Sequence, residues 1–348
     1  MLLIQLLTIT ILSYISVKLV INYAKKLHLV DIPNERSHHC SITPRGAGIG
    51  FVSVIIFGIA QFEYNLFLEY WYIFTSLFLV FSIGIVDDKY EVSARWKFIA
   101  IFIAVFLMWL YGVSIYSFGI WFGYELVLPS LVALPFTMFA LAGFTNALNL
   151  IDGIDGLSSS VSLVILSFFA IIGFEYNNTL LITLSLFTMA SLVGFMILNW
   201  NPAKIFMGDS GSLSLGFIIS ILAVISLEYI HPITILYLSA IPILDTLIVM
   251  IRRIRRGKSP LSPDKTHLHH ILVKFFDMNV KKTVIFLSLL QLMFSSIGYM
   301  LIEIINKDHN SIVPLLATFG FAVMFVVFYM IFTGIKKRQI ALDKKQGY

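Results

Sequence analysis

Asn146, Asn149, Asp152 and Asp155 recur every third residue in NALNLIDGIDGLSSS (146–160), between long apolar runs and with no Lys or Arg beside them. In a helix, neighbours at that spacing lie about 5–6 Å apart and form a slowly turning polar ladder. Gly153 and Gly156 can end the helix within the ladder. Asp87 and Asp88 stand side by side in GIVDDKYEVSARWKF (84–98), and Asp209 lies in NWNPAKIFMGDSGSLSLG (199–216). Bare carboxylates at a membrane edge are costly and usually mark ion or substrate sites. Five of them tolerate one another if a divalent cation sits among them. Oxygen ligands imply a hard ion, and Mg²⁺ typically takes one or two protein carboxylates plus substrate phosphates. The GDSGS backbone could bring N–H groups to a phosphate. Polar capping of helix ends is the competing account. It serves for Asn149 alone and serves less well for Asp152 with Asp155.

Opposite charge comes from IRRIRRGKSPLSPDKTHLHHILVKFF (251–276), with Arg252, Arg253, Arg255, Arg256 and Lys258. Such a cluster also serves as a topological anchor on anionic lipid. In the same segment Ser262 can cap a helix that has Pro263 at its first position and Asp264 in its first turn. Continued, that helix puts His267, His270 and Lys274 on one side and Leu268, Leu272 and Phe275 on another. This predicts an amphipathic arm on the membrane surface beside the site. Zinc is a poor fit, because no Cys or His elsewhere completes a tetrahedral set; phosphate contact by the histidines suits the Mg²⁺ chemistry better. His38 and His39 are equally well explained as loop polarity. Asp245 lies inside an apolar run about two turns before Arg252. An intramembrane acid is a functional candidate by default, with a structural ion pair as its competitor.

The elements that must position these residues are set by composition. The 348 residues are 59% hydrophobic and 12% charged, with a mean hydropathy of +0.92. This is far more apolar than a soluble domain. It predicts one all-α polytopic integral membrane protein with about eleven spans, near 1–23, 47–63, 70–86, 98–114, 126–145, 157–174, 179–198, 212–227, 232–251, 283–304 and 312–335. The first run lacks a basic n-region and a small-residue cleavage site, so it reads as a span and not as a removed signal. Of 24 Lys and Arg, 22 fall in the loops after spans 1, 3, 5, 7 and 9 or in the C-terminal tail. That bias puts the N-terminus outside and the C-terminus in the cytoplasm. Six of the eight Glu fall outside, whereas Asp308 is the one outer aspartate. The expected organisation is a catalytic membrane domain over 1–335 and a basic cytoplasmic tail over 336–348. Its active-site loops lie near 24–46, 87–97, 146–156, 199–211 and 252–282. The net charge of +5 sits in loops without a basic patch interleaved with aromatics, so nucleic acid is not expected as a partner. Cys40 is the single cysteine and excludes an intrachain disulfide.

From Val30 to Phe276, in order, DIPNERSHH, TPRGAG, DDKYEVSARWK, NALNLIDGIDGL, NWNPAKIFMGDSGS and SPDKTHLHH resemble the polyprenyl-phosphate N-acetylhexosamine-1-phosphate transferases. HLHH and the span count are similar to the undecaprenyl-phosphate GlcNAc-1-phosphate transferase branch. The resemblance implies transfer of a sugar 1-phosphate from a UDP-N-acetylhexosamine to undecaprenyl phosphate, releasing UMP, at a bacterial inner membrane. UDP-GlcNAc is the expected donor, with UDP-QuiNAc and UDP-FucNAc as alternatives. By the same resemblance Mg²⁺ (or Mn²⁺) would be the cofactor, with Asp209 as principal ligand and Asn149 and Asp152 beside it. Asp87 and Asp88 would be the catalytic pair, joined by Asp152 and Asp155. Lys97, Asn146, Asn199, Phe206, Arg36, Arg45, His267, His269 and His270 would bind substrate, with Phe206 stacking on uracil. A homodimer is a further option. Ala47 departs from the glycine of many relatives. The lipid phosphate has its second pKa near ~6 and is largely dianionic at neutral pH, so a general base has little to remove. Asp87 and Asp88 therefore fit metal or positioning roles as well as that of a base, and a covalent aspartyl route stays open. A transporter is the different-class alternative; its acids should line the middle of the spans.

Overall fold

The computed structural model describes residues 1–31, 42–257, 259, 267–308 and 312–345. In chain order the elements are α1 (Leu2–Leu27), β1 (Val30–Asp31), β2 (Thr43–Pro44), α2 (Gly48–Phe62), α3 (Tyr64–Glu69), α4 (Trp71–Tyr90) and α5 (Ala94–Leu110). There follow β3 (Ser117–Trp121), β4 (Tyr124–Val127), α6 (Ser130–Ile151), α7 (Leu157–Glu175), α8 (Thr179–Asn199) and α9 (Gly208–Ser226). The chain ends with α10 (Pro232–Leu238), α11 (Ala240–Ile254), α12 (Leu268–Phe275), α13 (Val280–Lys307) and α14 (Val313–Lys345).

The helices carry the polarity of a membrane protein. On α1 the buried stripe is Gln5, Ile9, Ser13, Val17, Val20 and Ala24, while Leu3, Ile4, Leu7 and Ile11 are exposed. Ser13 Oγ donates to the Ser191 carbonyl at 2.6 Å, and Thr10 Oγ1 to that of Ala190 at 3.0 Å. Small polar residues thus stitch helices together while the large apolar ones face outward. At the centre lies α9, nearly all of it buried, against α4, α6, α2 and α7.

Among the described residues, eight helices are long and apolar enough to cross a bilayer: α1, α4, α6, α7, α8, α9, α13 and α14. The protein is therefore an all-α multi-pass membrane protein. The remaining three of the eleven expected spans are not full straight helices. Those at 47–63 and 98–114 are α2 and α5, of 15 and 17 residues, which reach about 22–26 Å. The ninth is split, with α10 and α11 meeting at 88°. Pro242 explains the break, because it has no N–H for the Leu238 carbonyl. Gln291, wholly buried, takes over: its Nε2 donates to Leu238 O at 2.8 Å and its Oε1 accepts from Ile241 N at 2.9 Å. Ser295 Oγ adds a second donor to Leu238 O.

Two further departures concern loops. The connection between α5 and α6 holds an antiparallel hairpin, β3 with β4, in which Trp121 faces Tyr124. Its two-residue turn is Phe122–Gly123, both at positive φ. That turn type usually advertises itself with Asn-Gly or Asp-Gly, which is why the hairpin is not visible in the sequence. At the C-terminus α14 runs unbroken past residue 336, so the basic tail expected over 336–348 is helical as far as Lys345.

Candidate active site

The motif segments converge at one end of the helix bundle. The α4–α9 seam is built first by Asp88, which is 2% exposed. It accepts from the backbone N–H of Asp209 at 2.7 Å, the N–H of Ser210 at 3.1 Å and the Ser210 hydroxyl. These are the orphan donors at the start of α9, so a carboxylate from α4 caps another helix and complements its dipole. Asp87, one residue earlier, accepts from Val92 N at 2.8 Å and pairs with Lys97 Nζ at 3.0 Å. Lys97, in the first turn of α5, also contacts Asp209, so one ammonium neutralises two carboxylates.

The α6–α7 connection faces this seam. Asn149, in the last turn of α6, spends both amide hydrogens, on Asp209 Oδ1 at 3.1 Å and on Ser212 Oγ at 2.8 Å, which leaves its Oδ1 as an oxygen donor. The expected ladder ends here, because α6 stops at Ile151 with Asp152 as its C-cap. Asn146, one turn earlier, is half-buried and does not line the cavity described below. Asp155 is held in the loop by Asn201 Nδ2 at 2.8 Å and Ala203 N at 3.0 Å. Asn199 ties the same loop to α9's approach: Oδ1 accepts from Gly156 N at 3.0 Å and Nδ2 donates to Ile205 O at 2.9 Å. Among the described residues Asp152 has no such partner. Burial, and then Asp209, Asp88 and Asp155, hold its carboxyl well above the usual carboxylate range.

Asp152, Asp155, Asp209 and Asn149 line a polar cavity of about 460 Å³, together with Arg45, Phe206, His270, Asn199, Asp31 and Ser212. The β1–β2 pairing, Val30 with Pro44 and Asp31 with Thr43, brings Asp31 and Arg45 to this wall. Phe206 is fixed by its N–H to Pro44 O at 2.9 Å and by its carbonyl, which accepts from Ala47 N at 3.2 Å. Ala47 itself has ordinary helical angles, φ −57 and ψ −23, so the turn accepts a methyl there. Among the described residues the buried Nε of Arg45 has no partner. Asp31 and Ser212 are site residues not singled out above; Ser212 sits one turn after Asp209 in GDSGS, which is the signal that could have found it.

The histidines differ from the expected arm. Ser262, Pro263 and Asp264 lie outside the described residues, as do Lys258, Arg36, His38 and His39. The helix begins only after His267 and has eight residues, with Leu268, His269, Ile271, Leu272 and Val273 buried. It packs on α13 and α14, so its buried side meets protein. His267 is paired with Asp245 at 2.8 Å, which also replaces the expected ion-pair partner of that acid. His269 is packed over Gly153. Of the three, His270 reaches the cavity.

Beside it an apolar groove of about 760 Å³ runs between α6, α9, α10 and α11. Phe144 and Ala147 of α6, Ile219 and Ala223 of α9, and Ile243, Leu247 and Met250 of α11 line it, and Phe118 and Trp121 of the hairpin border it. Ala147 lies two residues from Asn149 in sequence, but at about 100° per residue the two project from nearly opposite sides of α6, and the groove and the polar cavity share no lining residue.

Residues 70–227 match the model of glycosyl transferase family 4. A Bacillus subtilis (strain 168) protein named "Probable undecaprenyl-phosphate N-acetylglucosaminyl 1-phosphate transferase" is 35% identical over 300 residues, covering 84% of this chain and 81% of that protein. The Escherichia coli (strain K12) undecaprenyl-phosphate alpha-N-acetylglucosaminyl 1-phosphate transferase is 32% identical over 289 residues, 79% of this chain and 77% of its own. The Yersinia pestis protein of the same name is 32% identical over 265 residues, 72% and 71%. The chain belongs to glycosyl transferase family 4. This is the family that its loop motifs resemble, and its members are sugar-1-phosphate transferases. The matched segment spans α4 to the end of α9 and so contains the seam, Lys97, the α6–α7 loop and Asp209.

A cation can be tested against the donor set. Among the described residues no three acids or imidazoles lie close enough to cage a metal by themselves. The cavity instead offers a few hard oxygens, on Asp209, Asp152 and Asn149. That suits Mg²⁺, which keeps waters and completes its shell with substrate phosphates. The residues present fit the ion.

Proposed function

We propose that this protein transfers an N-acetylhexosamine 1-phosphate, in the first instance GlcNAc 1-phosphate, from its UDP-sugar to undecaprenyl phosphate. UMP leaves, and the lipid-linked sugar starts a cell-envelope glycan such as O-antigen. The observation that carries the reading is the polar cavity, which gathers hard oxygens and an Arg45 nitrogen without a partner among the described residues; a separate apolar groove lies on another side of α6. A nucleotide diphosphate suits the first and a prenyl chain the second. The positive bias of the motif loops supports a cytoplasmic site in the inner membrane, facing the nucleotide pool.

Asp209, Asp152 and the Asn149 oxygen would hold Mg²⁺. When bound, that ion supplies charge neutralisation for the diphosphate. The protein's own groups do the rest. Arg45 and His270 face the cavity as cationic or hydrogen-bonding partners for phosphate oxygens, and Phe206 offers a ring face to the uracil. Lys97 lowers the repulsion between Asp87 and Asp209, which would otherwise oppose the approach of two polyanions. An oxygen of the dianionic lipid phosphate attacks the phosphorus attached to the sugar, and the bond from that phosphorus to the oxygen of the UMP phosphate breaks. No proton need be removed. Asp88 has both oxygens committed to the start of α9, which favours this direct displacement over an aspartyl intermediate on Asp88; Asp87 meets Val92 and Lys97 through Oδ1 alone.

The test is UMP release by purified protein given undecaprenyl phosphate, Mg²⁺ and, in turn, UDP-GlcNAc, UDP-QuiNAc and UDP-FucNAc. UMP that requires both lipid and metal, and disappears with Asp209→Asn, supports the reading and names the sugar. Folded protein that releases no UMP from any of them refutes it.

A further inference from the structure

Asp245 lies inside a membrane-embedded helix and has no part in the reaction above. It is 1% exposed. On α11 the groove-lining residues Ile243, Thr246, Leu247 and Met250 share one side. At about 100° per residue, Asp245 projects from the other. Both of its oxygens are used there. Oδ1 accepts the backbone N–H of Leu268 at 2.7 Å, and Oδ2 meets Nδ1 of His267 at 2.8 Å.

His267 is the residue before α12 and makes no side-chain cap of its own. The first N–H groups of a helix lack internal partners, and negative charge is favoured beside them. Asp245 therefore does, from a different helix, what a local N-cap residue does. The contact between Asp245 Oδ2 and His267 Nδ1 fixes the orientation of the imidazole ring beside the first turn of α12. A helix of eight residues is too short to persist unaided, and its position depends on such anchors. In the middle of the helix Gln339 of α14 donates to Ile271 O at 3.0 Å. Between the two anchors His269 sits so close to Gly153 that a Cβ there would approach its Nε2 to 2.3 Å. That contact seats α12 on the turn carrying Asp152, and one residue on, His270 enters the cavity.

We propose that Asp245 is the positioning residue of the histidine helix: by fixing the first turn of α12 it sets His270 in the donor cavity. The inference rests on reading that cavity as the UDP-sugar site.

The test uses the full-length protein in nanodiscs, as wild type, Asp245→Ala, Asp245→Asn, His270→Ala and the Asp245→Ala/His270→Ala double variant. Misplacing a contact by about an ångström can cost up to about a hundredfold, so Asp245→Ala should raise the KM for UDP-GlcNAc about tenfold or more. The KM for undecaprenyl phosphate should stay within about twofold, since the groove side of α11 is untouched. Asp245→Asn keeps an oxygen for Leu268 N–H and should recover part of the loss. In the His270→Ala background the Asp245 substitution should add little, because it acts through His270. Amide exchange over 268–275 should quicken in Asp245→Ala with the rest of the chain unchanged. Losses that multiply in the double variant, equal shifts in both KM values, or unchanged exchange of α12 would overturn the proposal. If Asp245→Ala does not fold, Asp245→Asn carries the same comparisons. If wild-type protein releases no UMP, the transferase reading fails while the exchange measurement still decides whether Asp245 holds α12.

Discussion

The α4–α9 seam and the α6–α7 loop both bring aspartates to the active-site end of the bundle, and they treat Asp88 and Asp152 differently. In the seam, Asp88 is buried and accepts three hydrogen bonds from the start of α9, and Asp87 and Asp209 share Lys97. In the loop, Asp152 has no partner among the described residues and is pushed toward its neutral form by burial and by three neighbouring carboxylates. Asp88, its bonds filled by backbone and hydroxyl donors of α9, builds the site. A carboxylate left unfilled beside a cavity is available to bind, and the fold bears a penalty for it until something does.

Replacing each of the two should separate these roles by the sign of the stability change, and this is the largest expected effect. Asp152→Asn should lower turnover about 10³-fold or more. In the absence of Mg²⁺ it should also melt higher than wild type, by about a few degrees, because it removes an unfavourable charge. The pH dependence has a definite sign. A carboxyl whose folded pKa is raised is not penalised below the unfolded value, about 4, and is penalised increasingly as pH rises through the folded one. The melting gap between Asp152→Asn and metal-free wild type should therefore widen upward from about pH 4. Asp88→Ala should also lose activity but melt lower, since three donors at a buried helix start lose their acceptor at about 1–3 kcal/mol each. If both substitutions destabilise alike, the contrast between the two regions is broken.

Lys97 is the hinge of the comparison, because it lends one charge to an acid from each side of the seam. Lys97→Met should cut turnover about a hundredfold, for want of a cation between two approaching polyanions. The same change exposes Asp87 and Asp209 to each other. Mn²⁺ titrated into the variant and followed by electron paramagnetic resonance should then bind more tightly than to wild type. Weaker binding would mean that Lys97 organises the carboxylates and does not compete with the cation for them.

Much of this was legible in the sequence, for a reason that also marks where it stopped. Asp87, Asp88, Asp152, Asp155 and Asp209 declare themselves because bare acids beside apolar runs are conspicuous, and the bias of Lys and Arg puts them on one side. The roles of those acids depend on which backbone N–H groups arrive from other helices. Nothing local to Asp88 announces that it caps α9, 121 residues away from Asp209. Asp245 likewise finds His267 across 22 residues, not Arg252 two turns along its own helix. The split of the ninth span is half visible, since Pro242 signals a break, but Gln291 on α13 is what makes an 88° bend tolerable in an apolar setting. The histidine helix was expected on a lipid surface because its amphipathic pattern does not say whether the apolar side meets lipid or protein.

Arg45 sharpens the binding side of the comparison at smaller amplitude. Its Nε is buried without a partner among the described residues, so that atom contributes no hydrogen bond to the fold there. Arg45→Ala should raise the KM for the UDP-sugar about tenfold, as expected for one charge-assisted phosphate contact, and leave the melting temperature within a degree or so. A large loss of stability would place Arg45 with the building residues of the seam.

The smallest kinetic effect should come from the far end of the bundle, at the hairpin. Gly119 has φ +85, and a Cβ on it would approach the His231 ring to 2.4 Å. His231 is itself locked, accepting from Ile233 N at the start of α10 and lying edge-on to Trp121 at 5.2 Å. Gly119→Ala thus strains the backbone and displaces a buried ring, and should destabilise the protein by about 1–3 kcal/mol. Because none of these residues lines the polar cavity, the KM for the UDP-sugar should not move. The hairpin does border the groove through Phe118 and Trp121, so the KM for undecaprenyl phosphate, measured on the same variant, is the sensitive control. An unchanged value restricts the lipid to the part of the groove near Ala147, whereas a raised one extends the acceptor's contact to the hairpin.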